Sequence, residues 1–341
     1  MTQFSPTSIS GTSTPTSVTG DLPDDVEDAV QSEVRQVSVP LGGHGQRVDR
    51  ALADAVPEFS RSYLQQLIDL RMVKIDGHLV AKASLKVKAG ELLTVELRPT
   101  PQSQAFKPEM MALDVVFEDE YLCVINKPAG LVVHPAPGNW SGTLLNGLLA
   151  RDRHASDLPR AGIVHRLDKD TSGLMVVAKQ RQTMDQLVTM IAAREVSREY
   201  LALANGIWQG SRTRQIESPV GRDPRNRLRM AVVDLEKNSG KPASTQVTLL
   251  DTAGLFSLVR CKLHTGRTHQ IRVHLSDIGH PLVADAVYGG APAGGLNRQA
   301  LHACRLGFTH PVTGETMVFI KAPPSDMSSA IDSIGLRYNP T

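Results

Sequence analysis

Residues 162–173 read GIVHRLDKDTSG and run directly into LMVVA at residues 174–178. The first stretch is polar and dense in charge, whereas the second is apolar and has the length of a buried strand. A charged loop that leads into a buried strand holds its side chains on a rigid support, and catalytic groups are often placed in this way. A salt-bridged surface loop would have the same pattern, so this stretch alone leaves both interpretations open.

Apolar runs typical of strands begin upstream of this loop, at residues 115–117, 122–126 and 131–134. They open a domain that we predict to extend over residues 111–324, and its later part consists mainly of strand and turn patterns. Apolar residues also recur with helical spacing in three stretches, at residues 143–150, 183–193 and 268–278.

A smaller α+β module is predicted over residues 35–98. Helical patterns cover residues 47–55 and 60–70, and strand patterns cover residues 72–75, 78–80 and 92–97. Asp76-Gly77 separates the first two strands, and this dipeptide favours a two-residue hairpin turn.

Three other segments lack a folding pattern. Residues 1–34 are rich in Ser, Thr, Pro and Gly and then become acidic, so we predict a disordered tail. Prolines with polar neighbours predict a linker at residues 99–110, and residues 325–341 are assigned to a C-terminal tail.

The net charge of +2 conceals a basic body, because the acidic tail contains no Lys or Arg. A basic body permits a polyanionic partner. No apolar run approaches the roughly 18 residues of a membrane span, and the N-terminus lacks the features of a secretory signal. Cys123, Cys261 and Cys304 lie too far apart for a disulfide framework or a metal knuckle. We therefore predict a cytoplasmic protein without a membrane segment.

Within the opening stretch, HRLD at residues 165–168 and DTSG at residues 170–173 resemble the signature of the RluA/RluD-type ribosomal RNA pseudouridine synthases. The resemblance covers most of the chain. Further matching blocks, in the order of the family, are NKPAG at 126–130, VHP at 133–135 leading to GT at 142–143, REY at 198–200, GRTHQIRVH at 266–274 and QALHA at 299–303. Residues 47–97 resemble a small RNA-binding module that these synthases share with a ribosomal small-subunit protein. That module often has Gly before its first strand, where this chain has Leu70-Arg71.

The resemblance implies that the chain converts uridine in RNA to pseudouridine. This reaction breaks the bond from ribose carbon 1 to base nitrogen 1 and rejoins the uracil through carbon 5, without net oxidation, so we predict no cofactor. Asp168 would be the essential catalytic residue, either as a nucleophile or as the base of a glycal pathway. Arg272 would pair with it, with Arg267 as the competing candidate. Tyr200 would stack on the uracil and assist proton removal at carbon 5.

The target base must leave its stack before Asp168 can reach it. Arg166 matches the family residue that inserts into the RNA as the base flips, and a planar guanidinium stacks well on bases. We also assign His165 and Arg267 to RNA binding. Basic side chains give the small module a face for phosphates, or else a plain solvated surface; the assigned residues are Arg61, Lys74 and Lys82.

Three other interpretations concern the same residues. His264, His269 and His274 are spaced five apart, and neither a helix nor a strand brings positions i and i+5 to one face, which disfavours a metal site. DKDT at residues 168–171 fits the DxDxT element of magnesium-dependent phosphatases, but charged residues interrupt the apolar strand that normally precedes that element. A non-catalytic RNA-binding protein is the stronger rival, since the small module could bind RNA alone.

We therefore predict an α+β protein with a small N-terminal α+β RNA-binding domain. Its catalytic domain is predicted to be built on a mixed, largely antiparallel central sheet with the active cleft across its middle. The predicted partner is structured RNA. Large-subunit ribosomal RNA is favoured because the segment from VHP to GT and the small module look most like the RluD type, and transfer RNA is the alternative. The family resemblance implies a monomer.

Overall fold

The computed structural model describes residues 33–57, 59–97, 105–136 and 138–339. Its contacts separate two units, residues 1–100 and residues 101–341. The predicted disordered tail before residue 33 and residues 99–104 of the predicted linker lie outside the described residues. No described helix is long and apolar enough to cross a membrane.

The N-terminal unit combines a four-stranded antiparallel sheet with two helices. Its strands are β1 (Glu33–Ser38), β2 (Val73–Ile75), β3 (His78–Leu79) and β4 (Leu92–Leu97), and its helices are α1 (Val48–Ala55) and α2 (Arg61–Asp69). The sheet order is β1-β4-β2-β3. Leu52 of α1 and Leu64 of α2 pack with Val73 and Val95 of the sheet in one core. The helices and hairpin strands predicted for this part of the chain are therefore present.

Strand β1 corrects the predicted end of the disordered tail. Glu33 and Val34 belong to the strand, and Glu33 pairs with Leu97 while Ser38 pairs with Leu92 of β4. β4 lies between β1 and β2, so both of its edges find backbone hydrogen-bond partners. The acidic composition before residue 34 concealed the strand, because an edge strand with one exposed face tolerates charged side chains.

Arg71 lies in the turn before β2, at the place where the related module often has glycine. Arg71 has a φ of 63°, in the left-handed region that favours glycine. The hairpin after β2 forms as predicted, because Asp76 and Gly77 have φ values of 47° and 81°, as a type I′ turn requires.

Asp49 is fully buried in the first turn of α1 and is surrounded by donors. Arg47 Nε donates to Oδ1 at 3.0 Å, and Arg61 Nη2 and Gln65 Nε2 donate to Oδ2 at 2.8 and 2.6 Å. Burial would raise the pKa of Asp49, but these hydrogen bonds outweigh it and hold the pKa well below its usual range. Arg61, which the sequence assigns to RNA phosphates, already has an anionic partner within the protein.

We expect Asp49→Asn to lower the free energy of unfolding of the N-terminal unit by about 2 kcal/mol, because charge-assisted hydrogen bonds contribute about 1.5–3 kcal/mol. The carboxylate should also make this unit acid-sensitive. Its folded pKa lies below the unfolded value of about 3.9, so its contribution is complete above that value and is lost as the pH falls through the folded pKa. Urea unfolding of both proteins at about pH 7 and about pH 3 measures this. If both proteins lose the same amount of stability between these two pH values, other carboxylates cause the acid sensitivity.

The C-terminal unit is built on a nine-stranded sheet and a small three-stranded one. Its strands are β5 (Asp114–Glu118), β6 (Leu122–Lys127), β7 (Ser172–Ala178), β8 (Ser197–Asn205), β9 (Thr213–Ile216), β10 (Val220–Arg222), β11 (Met230–Val232), β12 (Gly240–Lys241), β13 (Thr245–Ala253), β14 (Phe256–Leu263), β15 (Leu301–Thr309) and β16 (Thr316–Ile320). The large sheet has the order β5-β6-β7-β15-β8-β14-β13-β9, with β16 paired to β15, and the small sheet has β10 in its middle. Only β7 and β15 pair in parallel among the described strands, which confirms the predicted mixed, largely antiparallel sheet.

Strand β7 can approach β15 closely because residue 173 is glycine. Gly173 has a φ of 118°, and a Cβ at this position would lie 2.3 Å from the backbone oxygen of Ala303. The two residues are partners in the parallel ladder. The charged loop at residues 162–173 therefore joins the sheet close to its centre.

Four helices accompany the sheets: α3 (Leu144–Arg151), α4 (Arg181–Ala192), α5 (Gln270–Asp277) and α6 (Ser325–Ile334). The first three confirm the predicted helices to within two residues at each end. α6 corrects the predicted C-terminal tail, because Met327, Ala330 and Ile331 are buried in a core that includes Leu201 of β8. Their spacing of three and four residues is that of an amphipathic helix.

Residues 131–134 form bends rather than the predicted strand. The carbonyl oxygens of Val132 and Val133 accept the N–H groups of Leu144 and Leu145, at 2.8 and 3.1 Å. The first N–H groups of a helix have no partner within that helix. The apolar run thus completes the start of α3 instead of joining a sheet.

Candidate active site

A cleft of about 740 Å³ opens in the C-terminal unit beside the charged loop. Asp168 of the loop, Tyr200 of β8 and Arg272 of α5 all line it. Asp168 is the only acidic residue among the described residues of its wall. The arginines of the wall are Arg160, Arg166, Arg194, Arg198, Arg267 and Arg272. The cleft therefore combines a single carboxylate with a field that attracts polyanions.

The loop before Asp168 is fixed against β7. A Cβ at Gly162 would lie 1.9 Å from the carbonyl oxygen of Ala178, so the close approach of the two segments requires glycine. Three residues further on, His165 Nε2 accepts the backbone N–H of Val176 at 3.1 Å. Asp168 is thus presented from a rigid segment.

The segment after Asp168 is held by a buried lysine. Lys127 Nζ donates to the carbonyl oxygens of Pro128, Leu131 and Lys169 at 2.8, 2.8 and 2.9 Å. Burial lowers the pKa of Lys127 to about 8, so its ammonium is still mostly protonated at neutral pH. One cation therefore ties the backbone beside Asp168 to the end of β6.

Arg272 connects two carboxylates. Its Nη1 donates to Asp168 Oδ2 at 3.1 Å, while Nε and Nη2 donate to Asp285 at 2.7 and 2.9 Å. Burial would lower the pKa of Arg272, but the hydrogen bonds and charge of Asp285, followed by those of Asp168, raise it, so the guanidinium stays charged. Asp168 Oδ1 receives no hydrogen bond from the described residues and is available to a substrate.

His269 and Tyr288 complete the surroundings of this ion pair. His269 Nε2 lies 3.8 Å from Asp168 Oδ2, and its Nδ1 forms a hydrogen bond of 2.8 Å with the hydroxyl of Tyr288. Burial lowers the pKa of His269, which favours the neutral imidazole. The Arg272 guanidinium lies 4.9 Å from the centre of the Tyr288 ring, a cation–π distance. The two aromatic rings restrict the orientation of the Arg272 side chain.

Tyr200 is a buried residue whose side chain lines the cleft. Burial raises its pKa to about 12, against the opposing effect of the nearby Arg198. The phenol is therefore neutral at physiological pH and can donate a proton in a hydrogen bond.

The other predicted RNA contacts differ in their surroundings. Arg166 is exposed at the cleft, as an inserting residue must be. Arg267 lines the cleft, but its Nε donates to the carbonyl oxygen of Pro242 at 3.1 Å and makes no hydrogen bond to Asp168. Arg272 is therefore the partner of Asp168. Lys74 and Lys82 are exposed on the N-terminal unit.

His165 does not have the surroundings expected of an RNA contact. Its Nε2 is occupied by the N–H of Val176, and its Nδ1 is buried without a partner among the described residues. Burial, with a smaller effect of Arg198, lowers the pKa of His165 to about 3, so the ring is neutral. Nε2 of His165 therefore holds the loop against β7 and is not available to a phosphate.

Sequence reasoning missed Asp285, His269 and Tyr288. The histidine was considered only as a metal ligand, and its contact with the tyrosine joins residues 19 positions apart. Asp285 lies in an irregular segment between α5 and β15, where no periodicity marks a buried residue. The signal that could have found it is chemical, because a buried arginine on α5 requires more than one anionic or polar partner.

Comparisons with known proteins show the family of the chain. Residues 121–277 match the family model described as RNA pseudouridylate synthase, and residues 46–93 match the S4 domain. "Ribosomal large subunit pseudouridine synthase D" of Neisseria meningitidis serogroup B is 49% identical over 333 residues, covering 93% of this chain and 87% of the relative. The protein of the same name from Nitrosomonas europaea is 44% identical, covering 88% and 87%. Among solved structures, human RNA Pseudouridylate Synthase Domain Containing 1 is 28% identical with a TM-score of 0.50, over 62% of this chain and 84% of that one.

The chain belongs to the RNA pseudouridylate synthase family and carries an S4 domain in its N-terminal unit. Its predicted resemblance to the RluA/RluD type is thereby confirmed, and it is an RNA pseudouridine synthase, an isomerase. The phosphatase interpretation of DKDT at residues 168–171 is set aside, as is that of a protein that only binds RNA.

Proposed function

We propose that this chain isomerises uridine to pseudouridine in large-subunit ribosomal RNA, with Asp168 as the essential catalytic residue. The observation that carries the proposal is that Asp168, the one carboxylate among the described residues of an arginine-lined cleft, is paired with Arg272 through Oδ2 and keeps Oδ1 without a hydrogen bond from those residues. The names of the relatives from Neisseria meningitidis and Nitrosomonas europaea support the choice of RNA.

In the proposed reaction, the free oxygen of Asp168 acts on the ribose. It either attacks carbon 1 as a nucleophile or removes the proton from carbon 2 in a glycal pathway, and both routes require the carboxylate. The electron pair of the broken bond stays on the uracil, which rotates and forms the new bond to ribose carbon 1 through its carbon 5. In the nucleophilic route this step breaks the bond between Asp168 and carbon 1, and in the glycal pathway Asp168 returns the proton to carbon 2. The proton on carbon 5 then leaves, and base nitrogen 1 ends protonated. Tyr200, which lines the cleft, is assigned to stack on the base during this rotation.

RNA binding is assigned to two surfaces. Exposed Arg166 at the cleft is the candidate to fill the gap left by the flipped base, since a guanidinium stacks on neighbouring bases. On the N-terminal unit, exposed Lys74 and Lys82 are suited to phosphates, which contribute affinity without sequence information. Within the same proposal, the enzyme acts as a monomer on ribosomal RNA in the cytoplasm.

The test is to map pseudouridine in transcripts of large-subunit ribosomal RNA segments and of transfer RNAs after incubation with the purified protein. We expect conversion in a ribosomal stem-loop that folds in monovalent salt, and we expect it to persist in EDTA, because the isomerisation is redox-neutral and uses carboxylate, guanidinium and phenol. Conversion restricted to transfer RNA would refute the substrate assignment. Activity that EDTA abolishes and a single divalent ion restores would refute the cofactor-free reaction.

A further inference from the structure

Arg198 carries a buried charge that has no partner among the described residues. Its side chain belongs to a residue that is only 7% exposed, and its Nε is fully buried without a hydrogen bond among the described residues. None of the hydrogen bonds or ion pairs within the described part of the chain involves its guanidinium. An unpaired buried cation lowers stability, and a polar group left in this state in a native protein calls for an explanation, of which a catalytic role is one kind.

The neighbours of Arg198 do not neutralise it. Glu199 follows it in β8, but adjacent side chains of a strand point to opposite faces, and Glu199 pairs with Arg305 at 3.1 Å and lies 3.9 Å from Arg260. His165 is a neutral ring, and Asp168 is paired with Arg272. The charge of Arg198 is therefore available to a ligand.

The structure also makes room for this guanidinium beside the cleft. A Cβ at residue 266 would lie 2.9 Å from Arg198 Nη1, so Gly266 leaves the space that the guanidinium occupies. Arg198 and Tyr200 are two residues apart in β8 and share the face of the strand that lines the cleft. The charge is consequently held at the same depth as the tyrosine.

The depth of Arg198 favours the base of the RNA over its phosphates as the ligand. Arg160, Arg166 and Arg194 line the same cleft but are exposed, so they can meet phosphates, which stay outside when a nucleotide flips. The uracil is the part that enters an active-site pocket. Its carbonyl oxygens are acceptors, and a guanidinium offers only donors.

We propose that Arg198 is a catalytic residue that donates to a carbonyl oxygen of the flipped uracil and stabilises the negative charge of that ring after the glycosidic bond breaks. The inference rests on the proposed function. The electron pair of the bond between ribose carbon 1 and base nitrogen 1 remains on the ring and is spread over its carbonyl oxygens. The same pair is used when carbon 5 bonds to ribose carbon 1, so no oxidant or reductant is required. A donor in a site of restricted water access acts most strongly on charge that develops during the reaction.

The experiment compares the unchanged protein with Arg198→Lys and Arg198→Met in single turnovers at saturating enzyme. The substrate is one ribosomal stem-loop that carries uridine, 2-thiouridine or 4-thiouridine at the target position. We expect Arg198→Met to lower the saturated rate by about 100-fold, as loss of one such donor does elsewhere. RNA affinity should stay within about threefold, since phosphate contacts dominate it. Arg198→Lys should recover part of the rate.

Sulfur accepts hydrogen bonds poorly, so replacing a carbonyl oxygen of the uracil by sulfur weakens a hydrogen bond from Arg198. If Arg198 only supported the fold, this replacement would slow the unchanged protein and Arg198→Met equally. One of the two thio-substitutions should slow the unchanged protein by a factor that is roughly fivefold or more larger than the factor by which it slows Arg198→Met. The variant is less affected because it has already lost the hydrogen bond to that oxygen. Arg198→Met should unfold at the same or a higher temperature than the unchanged protein, since it removes an unpaired buried charge.

Four results would overturn the proposal. Weaker RNA binding with a shallower salt dependence and an unchanged saturated rate would make Arg198 a phosphate contact. Thio-substitutions that slow all three proteins equally would show that Arg198 does not touch the base. Normal conversion by Arg198→Met would refute this proposal alone, whereas no conversion by the unchanged protein would refute the proposed function and this inference with it.

Discussion

We expect Asp168→Asn to abolish detectable pseudouridine formation while RNA affinity stays within about threefold of that of the unchanged protein. Asparagine keeps the size of the side chain and can still accept a hydrogen bond from Arg272 Nη1, which lies 3.1 Å from Oδ2. It lacks the negative charge that both the nucleophilic and the glycal pathways require. Affinity should persist because it arises chiefly from phosphate contacts. Single-turnover conversion and filter binding on the same stem-loop measure the two quantities.

The matched control is Asp170→Asn, the same change of charge two residues further along the loop. Asp170 contributes its backbone oxygen to a hydrogen bond from Arg298 at 3.0 Å, and an asparagine preserves that contact. Asp170→Asn should therefore keep measurable turnover. Near-normal turnover in Asp168→Asn together with loss of turnover in Asp170→Asn would show that the catalytic carboxylate has been assigned to the wrong residue.

Much of the fold could be predicted because most elements have a regular pattern of apolar residues. α3, α4 and α5 follow helical spacing, and the Asp76-Gly77 turn has the chemistry that its positive φ values require. The wrong predictions lie in segments whose structure does not follow from a regular pattern of apolar residues. β1 starts in a segment of acidic composition, and α6 has too few apolar residues to stand out from a polar tail. Residues 131–133 are apolar, but the carbonyl oxygens of Val132 and Val133 accept N–H groups at the start of α3.

The site was predictable to the extent that its residues lie in short local motifs. Asp168 and Arg272 come from two such motifs, and the resemblance nominated the pair before any geometry was known. Asp285 and the unpaired state of Arg198 are different, because each depends on which residues meet across the fold. Neither hydrophobic periodicity nor turn chemistry contains that information. Buried charges must find partners, but the sequence does not say which ones.

The largest expected loss of stability comes from Asp285→Ala. Asp285 is 1% exposed, accepts two hydrogen bonds from Arg272 and also accepts the backbone N–H of Val287 at 3.2 Å. Alanine would leave Arg272 buried with Asp168 as its one remaining anion. Removing one partner of a buried ion pair lowers the free energy of unfolding by about 3–5 kcal/mol, and we expect a value in that range for the C-terminal unit.

Activity should fall further than the loss of folded protein explains, because Asp285 also sets the direction of Arg272. With Nε and Nη2 no longer held, the guanidinium can turn towards Asp168 and occupy its free Oδ1, so we expect the saturated rate of folded enzyme to drop at least about tenfold. Asp285→Asn is the control, since its amide oxygen can still accept from Arg272 and its loss of stability should be smaller. Denaturant unfolding followed by single-turnover assays well below the transition separates the two effects. If Asp285→Ala keeps the full saturated rate, Arg272 is oriented by its contacts with Tyr288 and Asp168 alone, and Asp285 contributes to stability without positioning the catalytic pair.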